Sequence, residues 1–237
     1  MDDTSRARQR VLAGFLPVAA VLYVSAEAVN PKGTDQVITG TGTAVKVLPL
    51  AVAHTTQLYV SGSLTLLALG ALAVSYPAIA TLVRERGSVT ATVAALIGGI
   101  GAFCGAIVNV LVGVNLAAAA AAHLPPGAAA RFLVTTFNST AGQAFTDVYF
   151  LGIVVAPVLM GWALWRSRSV PRWLAVLFVI GLEVAQQVGS FGPVRVILFM
   201  LPFAVAMVLL AARIWQAAAR PASPTREPAV VPAHAES

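Results

Sequence analysis

Four ionisable residues of this 237-residue chain stand inside long apolar stretches: Glu27, Asp147, Glu183 and Arg195. A charge placed at the centre of a bilayer costs at least about 2.5 kcal/mol, so such residues mark pathways or reacting sites. Glu183 is the deepest of them. Counted from Pro171 at a helical rise of 1.5 Å per residue, it lies about 18 Å along its segment, with Gln186 and Gln187 on the same side. Desolvation favours the uncharged form of a carboxyl group. A carboxylic acid held in an apolar pocket can give a proton to a lipophilic substrate or carry one across a membrane. Glu183, Asp147 and Glu27 are therefore the candidate acid–base groups, and Arg195 has charge enough to balance one of them.

Helical spacing gathers other polar residues into faces around these groups. Tyr23, Glu27 and Asn30 fall at i, i+4 and i+7, Gln57, Ser61 and Thr65 form a second row, and Gln143 shares a side with Asp147. Aromatic faces that would steady a cation are offered by Tyr23, Tyr59, Tyr149, Phe150, Phe191 and Phe199. The expected substrate-contacting set is Tyr23, Gln57, Tyr59, Asn109, Tyr149, Phe150, Gln186, Gln187 and Arg195. Plainer roles compete at three positions. Glu27 is placed to reach the headgroup region, Asp147 to favour the electropositive start of a helix, and Arg195 to extend its long side chain to the interface.

The elements that must hold these groups are membrane-spanning helices. The chain is 58% hydrophobic and 10% charged, far from the quarter charged that is usual in soluble domains. A crossing needs about 20 apolar residues. The apolar runs predict an all-α polytopic bundle of six spans, at about 11–29, 55–83, 89–119, 144–165, 171–189 and 194–214, with 220–237 as a disordered tail. Arginines at 6, 8, 10, 84, 86, 166, 168, 172, 213, 220 and 226 all fall on one side of that arrangement. Positive residues collect on the cytoplasmic side, which predicts cytoplasmic termini in a multi-pass protein of the plasma membrane. It also places the four intramembrane charges toward the outer half. Arg6 to Arg10, the following apolar run and Val24-Ser25-Ala26 also have the form of a secretory signal; an intact first helix is the simpler expectation. Ala44 to Ala53 and Ala128 to Phe137, in the two long outer connections, are expected to form short interfacial helices.

Within the third run, Gly101, Gly105, Asn109 and Gly113 repeat every four residues, with Gly98 close by. Small residues at that spacing let helix backbones approach. The stripe predicts a central helix packed on two neighbours, with Asn109 as an interhelical hydrogen-bond former, and it also offers a face for homo-oligomers.

Several classes are excluded or unsupported. The formal net charge of +6 is topogenic in this arrangement, so no nucleic-acid partner is expected. His54 and His123 lie on separate loops and Cys104 is the single cysteine, so no metal, haem or internal disulfide is expected. Phosphate-binding glycine loops, nucleophile elbows and zinc-protease helices are missing from the sequence, and no cofactor is expected.

Glu27-Ala-Val-Asn-Pro31, the segment His54 to Arg86 and Ala163-Leu-Trp-Arg-Ser-Arg-Ser-Val-Pro-Arg-Trp173 together resemble small polytopic membrane proteins of high-GC bacteria. That resemblance implies a helical bundle and lends no activity. In size and helix number the chain is also similar to integral membrane terpene cyclases, which implies acid-assisted cyclisation or isomerisation of a lipophilic substrate. Its partners would be the bilayer and that small molecule. A non-catalytic accessory protein and a small proton- or cation-coupled carrier are the other two expectations.

Overall fold

The computed structural model describes residues 3–31, 41–83, 86–185 and 193–219; side chains are described from residue 4 onward and, in the last segment, from residue 197. The described residues form helices and no strands. In chain order these are α1 (Asp3–Val29), α2 (Thr41–Ala53), α3 (Thr55–Ala80), α4 (Ser88–Asn109), a π-helical turn (Val110–Val114), α5 (Asn115–Ala121), α6 (Pro126–Phe137), α7 (Thr140–Ser167), α8 (Arg172–Ala185) and α9 (Pro193–Ala219). Backbone polar groups have no water partners in hydrocarbon, so an apolar chain of this composition satisfies them within helices.

Six helices close into a ring. α1 packs on α3, α3 on α4, α4 on α7, α7 on α8, α8 on α9, and α9 returns to α1. Five segments are long and apolar enough to cross a membrane: Thr4–Val29, Thr55–Ala80, Ser88–Ala121, Thr140–Ser167 and Ile197–Ala219. The expected sixth span, at about 171–189, corresponds to α8. It is helical over 14 described residues, fewer than a crossing requires, and Gln186 and Gln187 lie outside the described residues. The expected disordered tail lies outside them too.

Alanine dominates the main core, with Leu16, Tyr76, Met160, Leu164, Phe178 and Phe203 as its large members. Lipid is as apolar as leucine, so helices in a membrane gain from close backbone approach more than from apolar burial. The glycine stripe of α4 works this way inside the chain. Gly98 receives the Tyr76 ring of α3, Gly101 meets Gly152 of α7, and Gly105 receives the Tyr149 ring of α7. The predicted central helix with two neighbours is thus observed, and both neighbours belong to the same chain.

A second, smaller core lies outside the ring. α2, α5 and α6 pack together through Ala44, Val47, Leu48, Ala51, Leu116, Ala120, Ala129 and Leu133, and Leu58 of α3 joins them. The two short helices expected in the long connections are present as α2 and α6, and they form this cap with the end of the third run. That run is not one regular helix as expected. The π-helical turn widens it after Asn109, and the Asn115 amide donates to the Leu111 carbonyl at 3.2 Å. π-Turns inside helices are uncommon and are frequent at functional sites.

The opposite end of the ring carries most of the described arginines. There α1 begins beside the end of α9, and the Trp215 indole donates to the Arg10 carbonyl at 2.9 Å. Trp162, Trp165, Trp173 and Trp215 are exposed on this end, as aromatic residues at a membrane–water interface are.

Candidate functional site

Glu183 sits on α8, 11 residues after Arg172 and so about 17 Å along the helix. Two features hold that stretch of α8 in place. A Cβ on Gly181 would lie 2.7 Å from the Phe203 nitrogen, so α8 and α9 meet almost backbone to backbone there. Leu182 and Ala185, on either side, are buried in the main core. The carboxyl of Glu183 is left with Oε1 buried and without a hydrogen-bond partner among the described residues. More than nine in ten buried polar groups find a partner, and leaving one unmatched costs about 1–3 kcal/mol. No other described residue has such an atom.

The Tyr76 phenol, 2% exposed, is within electrostatic reach of Glu183. The ring connects α8 to α7 and α9, and α3 to α1 and α4, so this relationship runs across the interior. Tyr76 was not singled out by its sequence surroundings. It stands in an apolar run, and its placement depends on the absent side chain at Gly98, where a Cβ would fall 2.6 Å from the ring. Large-against-small pairing between two separate helices is the signal that identifies it.

A second relationship crosses the ring nearer the cap. Glu27 of α1 is within electrostatic reach of Tyr149 of α7. The Tyr149 ring lies on Gly105 and beside Phe150, with ring centroids 5.6 Å apart. Tyr23, Glu27 and Asn30 are all half-buried, as their common face predicts. Tyr23 meets Phe203 edge to face at 6.0 Å, which ties this face of α1 to the α9 residue that touches Gly181.

Hydrogen bonds between helices brace the same region. The Ser61 hydroxyl donates to the Ala26 carbonyl at 3.0 Å, one residue before Glu27. The Asn109 amide donates to the Gly62 carbonyl at 2.8 Å. Asn109 therefore makes the interhelical bond expected of it, at the point where α4 passes into the π-helical turn.

Other expected members are elsewhere. Gln57, Tyr59, Asp147 and Phe150 are on exposed faces, and the structure does not bring them to Glu183. The row Gln57, Ser61, Thr65 splits because only Ser61 is buried; a four-residue step overshoots a 3.6-residue turn, so the row winds around α3. The reading of Asp147 as a group at a helix start is corrected. α7 begins at Thr140, and Ser139 caps it by accepting from the Gly142 N–H at 3.1 Å, which leaves Asp147 two turns in. Gln186, Gln187 and Phe191 lie outside the described residues. Arg195 falls in the first turn of α9, with its side chain outside them as well.

No group of three or more His, Cys, Asp or Glu residues that could hold a metal occurs among the described residues. The chain matches no protein family, no curated protein and no solved structure.

Proposed function

We propose that the protein is an integral membrane enzyme that takes a lipophilic molecule into its helix ring and transforms it with Glu183 as the proton donor. The observation that carries this reading is the buried, unmatched Oε1 of Glu183. A buried polar atom without a partner among the described residues supports a group reserved for something that binds. Tyr76, across the ring, is the second polar group on the reacting part of the substrate. The main core of the ring is built largely from alanine, leucine, methionine and phenylalanine, and apolar surroundings of this kind exclude water and strengthen charge interactions. Glu27, with Tyr149 beside it, forms a separate polar station nearer the cap and holds the other end of the molecule. The chemistry this arrangement suits is protonation of an alkene by Glu183, isomerisation or ring closure of the resulting cation, and return of a proton from the cation to the Glu183 carboxylate.

The arginine-bearing end is the cytoplasmic one in this reading, because positive residues are retained on that side. The cap of α2, α5 and α6 then faces outward, and the protein resides in the plasma membrane.

The test is conversion of a membrane-lipid extract by the purified, reconstituted protein, followed by mass spectrometry. A new product is expected with the native chain and none with Glu183→Gln. Equal conversion by both would remove Glu183 as the acid.

A further inference from the structure

We propose that the turn between α7 and α8 is a binding site for an anionic phospholipid, with its phosphodiester on Arg166, Arg168 and Arg172. Three guanidinium groups fall within seven residues here, all exposed, and none has an ion-pair partner among the described residues. The turn is tied internally. The Ser167 hydroxyl donates to the Leu164 carbonyl at 3.1 Å and lies 2.8 Å from the Ser169 hydroxyl. Arg168 closes α7 with φ of 55°, a left-handed conformation that reverses the chain so that Arg172 returns toward α7. Arg172 then stacks over the Trp165 ring at 5.1 Å. Stacking occupies the face of a guanidinium and leaves its N–H edges free to grip phosphate in a two-point manner.

The surroundings identify a lipid over a free phosphate. Trp162, Trp165 and Trp173 are exposed around the arginines, at the height where indoles meet headgroups. Away from the turn, each helix shows an exposed apolar strip, Val154, Val158 and Trp162 on α7 and Trp173, Val176 and Ile180 on α8. The two helices pack together through Gly161 and Val179. Acyl chains have these strips to lie on while the headgroup meets the arginines.

Native mass spectrometry of the full chain in mixed micelles of phosphatidylglycerol and phosphatidylcholine tests the proposal. Retention of phosphatidylglycerol is expected at about tenfold preference, a 1.4 kcal/mol difference. The variant R166Q/R168N/R172Q, with asparagine to tolerate the left-handed turn, should fall to no preference, whereas R8Q/R86Q/R213Q at the same end should keep it. Equal loss in both variants would mean diffuse charge attraction and overturn the site. Full displacement by excess glycerol phosphate would overturn the lipid and leave a phosphate site. Hydrogen exchange on the native chain decides the matter if the first variant does not assemble. Phosphatidylglycerol vesicles should slow exchange at 166–173 relative to phosphatidylcholine vesicles, and unchanged exchange would reject the proposal.

Discussion

Gly101 of α4 and Gly152 of α7 touch backbone to backbone: a Cβ built on either would lie 2.5 Å from the other's Cα. Carbon atoms prefer about 3.5–4.0 Å, so nothing larger than hydrogen fits between these helices without separating them. Gly101→Val should destabilise the protein by about 3 kcal/mol or more, at the upper end of overpacking costs. Gly14→Ala, where a Cβ meets nothing within 4 Å, should be neutral or slightly stabilising. Thermal unfolding in a fixed detergent compares them. Equal melting temperatures would show that α4 and α7 are not in this contact.

The unmatched oxygen of Glu183 sets function against stability. Glu183→Leu removes a buried polar atom with no partner among the described residues and adds apolar packing, so it should stabilise the chain by about 1–3 kcal/mol while abolishing conversion. Groups kept for function often cost stability in this way. A melting temperature lowered by Glu183→Leu would mean that the carboxyl holds the bundle together, and the catalytic reading would lose its support.

The braces around Glu27 should behave differently. Ser61→Ala and Asn109→Ala each delete one interhelical hydrogen bond, which in membranes is worth about 0.6 kcal/mol on average and up to about 1.7. Each should lower the melting temperature modestly. Ser61 adjoins Gly62, the acceptor of Asn109, so the two bonds are neighbours and the double variant should depart from additivity. A strictly additive result would show that α1 and α4 grip α3 independently.

The membrane class and the helical fold were legible in the apolar runs, since length and composition alone decide what can cross a bilayer. The stripe at Gly98, Gly101 and Gly105 also announced a close-packed helix, because small residues at four-residue spacing have few other uses. What the sequence could not convey was which helices meet. Tyr76 becomes a site residue only because Gly98, 22 positions later, makes room for its ring. Asp147 differs from expectation for a local reason: Ser139 caps α7 and starts it at Thr140, four residues before the apolar run begins. α8 carries the expected Glu183 on a helix too short, as described, to count as a span.

Orientation is the premise on which the proposed outward-facing cap depends, and one cysteine makes it measurable. Cys104 is buried, so Cys104→Ala gives a background without thiols, as no other cysteine occurs in the chain. His123 is exposed in the turn between α5 and α6, and Ser169 lies in the α7–α8 turn at the other end. In intact cells, His123→Cys should react with a membrane-impermeant maleimide, and Ser169→Cys only after permeabilisation. His123 lies at the cap end and Ser169 beyond the other end of α7, a 28-residue helix about 42 Å long at the usual rise, a length sufficient to cross a bilayer. Reversed labelling would invert the molecule. The arginine end would then face outward, the cap inward, and substrate would have to enter from the cytoplasmic leaflet.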